Sequence, residues 1–321
     1  MLWTTMLLIP PLSLLYDLTI GERPLAIHPV MAYGRVITFY DKHLELGLGR
    51  FRLRAYGLAL ILSLAFVAVM PILALKGLGI LMGDQVASLI ISVPICVFIL
   101  KASFSLNHMI KEARAVKGLV DGHDLEGARK KVSHIVSRDT SDLSFEEIIS
   151  ADVECISESI ADSIVSPLFY FMCFGLYGCQ IYRAVNSADS RVGYRTERYM
   201  DFGYVPAKLD DLLNFVPSRI AVILTLISGS ILGHDARRGW RSYRKYGGVT
   251  ESPNAGQTMS VYAGMLGIQL HKKGHYTIGD PTYALGVGHI EQAIRIYALS
   301  TAIMMFFAMA SILIGLPIIF L

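Results

Sequence analysis

The sequence predicts an all-α, multi-pass integral membrane protein with substantial, partly helical polar segments between its spans. Three observations carry that prediction. Of the 321 residues, 53% are hydrophobic and only 17% are charged. Mean hydropathy is +0.49. The apolar residues gather into runs, several of them near the roughly 20 helical residues that cross a hydrocarbon core about 30 Å thick. A soluble domain of this length buries a good core but still needs a polar surface, which this composition does not supply. The formal charge of +3 argues against a nucleic-acid binder, whose basic residues concentrate into a footprint. Cys96, Cys155, Cys173 and Cys179 are scattered, without CxxC spacing or a Cys/His cluster, and read as small buried hydrophobes.

Residues 1–16 are apolar, lack a basic flank and are followed by no A-x-A-like site. They read as an anchor or interfacial helix, not a cleaved signal. The polar stretch 17–54 holds Asp17, Gly21, His28-Pro29 and the cluster Arg50, Arg52, Arg54. A clear span follows at 55–75. A turn is expected around Lys76, Gly77 and Gly79, then a second span at 80–100 with Asp84 near its start. The polar stretch 101–158 opens amphipathically, with Met109, Ala113, Val116 and Val120 on one helical face and Gly122 near its end. Asp124 is placed to cap the next short helix. Ser144-Phe-Glu-Glu147 is a capping-box pattern, opening a helix that runs toward Asp162. The apolar run 160–181 is interrupted by Asp162, Pro167 and Gln180. A polar stretch, 182–214, separates it from the run 215–232. The last polar stretch, 233–295, precedes a final span at 297–321. The chain reads as a single membrane domain.

Lys and Arg mark the cytoplasmic side of short loops. The stretches 17–54, 101–158 and 233–295 all carry several Lys and Arg, so the polar segments that carry the chemistry are expected in the cytoplasm. Strict alternation would put 182–214 outside, although it carries Arg183, Arg191, Arg195, Arg198 and Lys208. Either the third and fourth long runs span, or they are re-entrant or buried segments returning to the cytoplasmic face. Irregular backbone is tolerated at depth where protein buries it.

Three constellations can carry chemistry. Glu154, Glu158 and Asp162 recur at four-residue spacing, which puts three carboxylates on one helical face about 6 Å apart along the axis. The stripe enters an apolar run, where it needs a neutralising cation or a basic partner such as Arg138 or Arg114. A Mg²⁺- or Arg-binding face and a solvated face both fit. The second constellation is Asn186 and Asp189-Ser190, followed by Arg191, Tyr194, Arg195 and Arg198. It suits a phosphate or carboxylate ligand held with a metal, or a basic loop against lipid headgroups. Asp210, Asp211 and Asn214 follow and read in part as helix caps. The third is the turn Ser252-Pro-Asn-Ala-Gly256, whose backbone N–H groups and Asn254 can form an anion nest. Asp235, Arg237, Arg238 and Arg241 precede it, and Gly279-Asp280 follows. His28 sits in a His-Pro turn. The remaining histidines lack zinc spacing, and no Ser/His/Asp elbow, Walker loop or Rossmann fingerprint appears.

These blocks together resemble the cobalamin-biosynthesis membrane protein family CobD/CbiB, the adenosylcobinamide-phosphate synthases. The resemblance is carried in one order over almost the whole chain. It begins with Asp17, Gly21 and His28-Pro29-Val30, then Glu112-Ala-Arg-Ala-Val-Lys-Gly-Leu-Val120, Val136-Ser-Arg-Asp-Thr140 and residues 154–170. It continues through Tyr182-Arg-Ala-Val-Asn186, Asp189-Ser190, Val192-Gly-Tyr-Arg195, Phe202-Gly203 and Lys208-Leu-Asp-Asp-Leu-Leu-Asn214. It ends with the Ser252–Gly256 turn, Ala263-Gly264, Leu266-Gly267 and residues 276–280. The chain departs from the family pattern at Ser159, where Asn is usual, at Ser163, where Gly is usual, and at Gln257, where Trp is usual. The charged members are kept.

The resemblance implies amide formation between a propionate of adenosylcobyric acid and aminopropanol or its phosphate. ATP is the implied energy source, through an acyl phosphate, with Mg²⁺ and Arg offsetting charge on the phosphoryl oxygens. It implies Glu158, Asp162, Asp189, Arg195 and Asn254 as catalytic residues, and Glu154, Glu158 and Asp162 as the metal set. For the ATP and substrate contacts it implies Arg138, Asp139, Asn186, Ser190, Arg191, Asp210, Asp211, Asn214, Ser252, Gly256 and Asp280. The expected partners are the corrinoid, the amine, the cell-membrane bilayer and other corrinoid-pathway enzymes. The alternatives are a non-catalytic membrane sensor, like the AmpE-like relatives, or a structural partner in the pathway. A transporter would need ionisable residues in mid-span, which 55–75 and 297–321 lack.

Overall fold

The computed structural model describes residues 6–45 and 47–315. Residues 1–5 of the first apolar run and 316–321 of the last lie outside the described residues. Five helices among the described residues are long and apolar enough to cross a bilayer: Arg50–Met82, Val86–Asp121, Phe145–Val192, Tyr204–Ile231 and Gly288–Leu313. The protein is a multi-pass helical membrane protein with polar segments between its apolar helices. It divides into two compact units. One comprises Met1–Ser105, Ser166–Leu213 and Met305–Leu321; the other comprises Leu106–Val165 and Asn214–Met304.

The first unit opens with α1 (Ile9–Thr19), a 3₁₀ turn at Leu25–Ile27 and α2 (Pro29–Lys42). Helix α1 has 11 residues. At 1.5 Å per residue it reaches about 16 Å, roughly half of a hydrocarbon core. Helix α3 (Arg50–Met82) has 33 residues and reaches about 50 Å, well beyond that core. It runs straight through Lys76, Gly77 and Gly79, where the sequence predicts a turn. An isolated glycine costs a helix only about 1 kcal/mol, less than unpaired backbone groups cost in an apolar setting. The turn instead falls at Gly83, which takes φ +65°. Asp84 then caps α4 (Gln85–Lys101), accepting from Val86 N at 2.8 Å.

The core of this unit buries Tyr33, Ile37, Leu60, Leu64 and Phe202. The buried Tyr33 and Gln180 side chains are paired. Tyr33 donates to Gln180 Oε1 at 2.6 Å, and Gln180 Nε2 donates to Ser103 Oγ at 2.8 Å. Gln180, an interruption of an apolar run in the sequence, therefore ties two elements together. Lys101 ends α4 fully buried, 3.2 Å from the buried Asp17 of α1 and 2.7 Å from Glu22. Glu22 also lies 3.1 Å from His28 Nε2. Burial pushes the Glu22 carboxyl up, but the hydrogen bond from His28 and the charge of Lys101 outweigh it and hold the group at about 2. Helix α8 (Ser166–Val192) breaks at Phe174 and Gly175, where Gly175 takes φ +61° and ψ −149°, a region open essentially to glycine alone.

The second unit begins with α5 (Leu106–Asp121) and α6 (Leu125–Val132). Met109, Ala113, Val116 and Val120 are buried along one face of α5, and Asp124 caps α6 through Gly127 N at 2.9 Å. Helix α7 (Phe145–Ile160) opens with both capping-box bonds of Ser144 and Glu147. It passes into a π-helical turn, Ala161–Val165. The unit also holds α9 (Tyr204–Ile231) from Asn214 onward, α10 (Ala236–Tyr246), α11 (Ala255–Leu266) and α12 (Gly288–Leu313) as far as Met304. Between α11 and α12 lies a short antiparallel ribbon absent from the all-α expectation. It pairs β1 (Leu270–Lys272) with β2 (Tyr276–Ile278), Leu270 opposite Ile278. Because α9 starts at Tyr204, Asp210, Asp211 and Asn214 lie inside the helix; the capping role expected for them does not hold.

Candidate functional site

The expected site residues fall into two clusters, one in each unit. In the second unit the cluster is built on α7. Glu154 is 5% exposed and accepts three hydrogen bonds: from Ser150 Oγ at 2.7 Å, Arg138 Nη2 at 3.1 Å and Tyr276 OH at 2.8 Å. Ser150 Oγ in turn accepts the backbone N–H of His271 at 2.9 Å. The ribbon thus docks on α7 around one carboxylate, and Arg138 neutralises it. Arg114 is engaged elsewhere, 3.0 Å from Glu291. Glu158, one turn on, is exposed, and Asp162, in the π turn, is half-buried. Burial raises the Tyr276 phenol, and the carboxylates of Glu154 and Glu158 raise it further, so Tyr276 stays a hydrogen-bond donor beside both acids. Asp139 is exposed and accepts from Ser141 N at 3.0 Å, which fixes the turn after Arg138.

The Ser252–Gly256 turn leads into α11. Two of its N–H groups are committed within the loop: Asn254 N donates to Ser252 Oγ at 3.3 Å and Gly256 N to Thr250 Oγ1 at 2.9 Å. A side chain at Gly256 would stand 2.8 Å from the carbonyl of Gly247, so the loop closes only with glycine there. The buried Asn254 side chain faces α9, where Oδ1 accepts from Arg219 Nη1 at 2.8 Å and from Ser218 Oγ at 3.2 Å. Arg219 is a functional candidate missing from the sequence reading. It is a single arginine in an apolar run, and only its place in an otherwise uncharged helical segment marks it. Met259 of α11 lies 3.8 Å from the Tyr276 hydroxyl, so the helix launched by the Asn254 turn packs on the carboxylate cluster. Asp280 is exposed and binds Lys245 Nζ at 2.8 Å and Tyr246 OH at 2.6 Å. The Lys245 bond holds its carboxyl below the ordinary range, and Lys245 is raised to about 12. Arg238 caps α11, donating to Gly264 O at 2.6 Å and Met265 O at 3.0 Å. Asn214 is buried in the same unit.

In the first unit, Asn186 on α8 is the centre. Its amide donates to Asp210 Oδ1 on α9 at 3.2 Å, and its carbonyl oxygen accepts from Arg183 Nη1 at 3.2 Å. Ser190 Oγ donates to Asn186 O at 2.8 Å. Arg191 lies against Gly34 of α2, 3.3 Å from its carbonyl oxygen. Asp211 pairs with Lys208 at 3.6 Å. Asp189 is half-buried and Arg195 exposed, at the end of α8 and in the segment after it. An apolar cavity of about 390 Å³ lined by Tyr170, Phe174, Tyr177 and Tyr182 flanks the break in α8. Among the described residues no group of three His, Cys, Asp or Glu side chains is gathered closely enough to hold a metal.

The profile of the CobD/Cbib protein family matches residues 11–306. The chain belongs to the CobD/CbiB family. It is 36% identical over 306 residues to the probable cobalamin biosynthesis protein CobD of Methanothermobacter thermautotrophicus, covering 95% of this chain and 97% of that protein. It is 40% identical over 270 residues to the corresponding probable CobD of Methanococcus vannielii, covering 83% and 85% of the two chains. The cobalamin biosynthesis protein CobD of Dehalococcoides mccartyi is 36% identical over 278 residues, covering 85% and 87%. No solved structure matches. Membership carries the family's general role in cobalamin biosynthesis. Two departures from the CobD/CbiB pattern have a local account. Gln257 is buried and donates to Gly247 O at 2.9 Å and Pro253 O at 2.8 Å, stapling the Asn254 turn from within. Ser163 lies in the π turn beside Asp162.

Proposed function

We propose that this CobD/CbiB protein forms the amide between a propionate of adenosylcobyric acid and aminopropanol or its phosphate. The observation that carries the reading is the second unit's construction. The turn bearing Asn254 and the helix bearing Glu158 and Asp162 are packed together through Tyr276, Met259 and Glu154. This brings hard oxygen donors, an arginine-anchored loop and a phenol into one body. Mg²⁺ ordinarily takes one or two protein carboxylates and completes its shell with water and substrate phosphates. Glu158 and Asp162 supply two such carboxylates one helical turn apart. Glu154 beside them accepts from Arg138, Ser150 and Tyr276. ATP, when bound, supplies the phosphoryl group that converts a carboxylate oxygen into a leaving group. In this reading Glu158 and Asp162 hold the Mg²⁺ that accompanies it. Asn254 and Arg219 orient substrate, with Ser252, Gly256 and Asp280 shaping the loop and its surroundings. Arg138 and Asp139 fix the approach to the acids. In the first unit, Asp189, Arg195, Asn186, Ser190, Arg191, Asp210 and Asp211 are assigned to anionic substrate groups, and Asn214 to the second unit's cluster.

The test is turnover by purified protein given adenosylcobyric acid, ATP, Mg²⁺ and each amine in turn. The expected result is a corrinoid whose mass has grown by the amine less water, with ADP and phosphate released in step. No mass change with either amine, from folded protein, overturns the reading.

A further inference from the structure

Helix α10 presents a surface that the proposed chemistry does not use. Arg237, Trp240, Arg241 and Arg244 are all exposed. Their spacing of three, four and seven residues puts them on one helical stripe. Gly239 and Ser242, on the other side, are buried. Arg238 and Lys245 are spoken for by α11 and Asp280. The side chains of Arg237, Arg241 and Arg244 make no salt bridge or hydrogen bond among the described residues, although Arg241 lies near enough to Asp235 to help lower its carboxyl. The one acid at the helix, Asp235, is used as its N-cap.

The stripe lies where an apolar span ends. Helix α9 closes at Ile231 with Gly233 in a left-handed conformation. Gly233 N donates to Ser230 O at 3.1 Å and His234 N to Gly229 O at 2.8 Å, a tight reversal. Only residues 232–235 separate the two helices. The reversal folds α10 back on the span: a side chain added at Gly239 would stand 3.1 Å from Leu226 Cδ2. Leu226 lies inside α9, more than a turn before its end. The middle of α10 is therefore level with the last turns of a helix long and apolar enough to cross a membrane. Arginine pairs with phosphate oxygens in forked geometry, and tryptophan favours the membrane interface.

We infer that the Arg237, Trp240, Arg241, Arg244 stripe is a docking surface for anionic phospholipid headgroups, seating α10 on the bilayer. Trp3→Phe leaves Trp240 as the only tryptophan, since the chain has two. The protein is reconstituted into nanodiscs of phosphatidylcholine alone or an equal mixture with phosphatidylglycerol, each doped with a headgroup spin-labelled lipid. Trp240 fluorescence is expected to be quenched by the label. Lipid retained through detergent extraction, counted by native mass spectrometry, is expected to favour phosphatidylglycerol. The variant Arg237→Gln/Arg241→Gln/Arg244→Gln should lose that preference by up to about a hundredfold at low salt, at about fivefold per basic residue. The corresponding Lys variant should keep most of it. If the Gln variant does not fold, the wild type still decides: near 1 M salt, where the screening length is about 3 Å, its preference should collapse. Three results overturn the inference: an unquenched Trp240, a preference that neither substitution nor salt changes, or release of quenching by ATP, which would make the stripe a nucleotide site.

Discussion

Glu154, Glu158 and Asp162 share a spacing but not an environment: the first is buried, the second exposed and the third half-buried. Glu154 accepts bonds from a guanidinium, a hydroxyl and a phenol. Hydrogen bonds to a charged group are each worth about 1.5–3 kcal/mol. Glu154→Gln should therefore lower the yield and unfolding midpoint of purified protein while leaving the Mg²⁺ dependence of the remaining activity in place. Asp162→Asn should do the reverse, raising the Mg²⁺ concentration for half-maximal turnover several-fold with folded yield preserved. A metal titration normalised to folded protein separates the two, and an unmoved midpoint for Asp162→Asn removes that residue from the metal set. The stripe itself was legible, because a four-residue recurrence is a helical face. Its division was not. Arg138 was one of two candidate partners, and only the docked ribbon selects it. Arg219 and Lys101 were illegible for a common reason: a single basic residue within or at the end of an apolar run reads as a membrane flank, and its partners lie far away in sequence.

At the scale of elements, two N-terminal caps were legible, while the caps read into Asp210, Asp211 and Asn214 fell inside α9. Asp124 and the Ser144–Glu147 box carry their signals within four residues. Breaks were read worst. Gly77 and Gly79 drew a turn that the helix ignores, whereas Gly175 breaks α8 in the middle of an apolar run without proline or charge to mark it. The φ of each glycine, which composition does not reveal, makes the difference. Gly175→Ala forces a side chain into a conformation costing on the order of 1–3 kcal/mol, and should lower the midpoint of detergent-induced unfolding. Gly77→Ala meets nothing within 4 Å and gains up to about 1 kcal/mol of helix propensity. It should leave the midpoint unchanged or raise it. Equal losses from both would refute this assignment of the break.

For the whole molecule, composition and run length were enough to read a multi-pass helical protein, and family membership agrees. The division into two units was not legible, since each gathers segments distant in sequence and three of the four boundaries fall inside continuous helices. Orientation remains a matter of charge. If the segment after α8 is cytoplasmic with the other segments that carry several Lys and Arg, a cysteine replacing the exposed Glu197 will resist a membrane-impermeant thiol reagent in intact cells. Cys96, Cys155, Cys173 and Cys179 are first replaced. Labelling only after lysis supports the common face; labelling of intact cells places that segment outside.

The buried pair Asp17–Lys101 also bears on how the chain is made. Synthesis delivers Asp17 with α1 long before Lys101 arrives at the end of α4. Until then the cation that sits 3.2 Å from Asp17 in the finished protein does not exist, and desolvating the acid is expensive. Docking of α1 must wait for the hairpin to be completed, so the pair reports that insertion has finished. A nascent chain that lacks the lysine loses the cation that faces Asp17, a lesion that quality-control proteases can detect. In a pulse-chase experiment Lys101→Met should shorten the half-life of the protein, and adding Asp17→Leu should lengthen it again. Equal half-lives for wild type and Lys101→Met would show that the pair matters only after assembly.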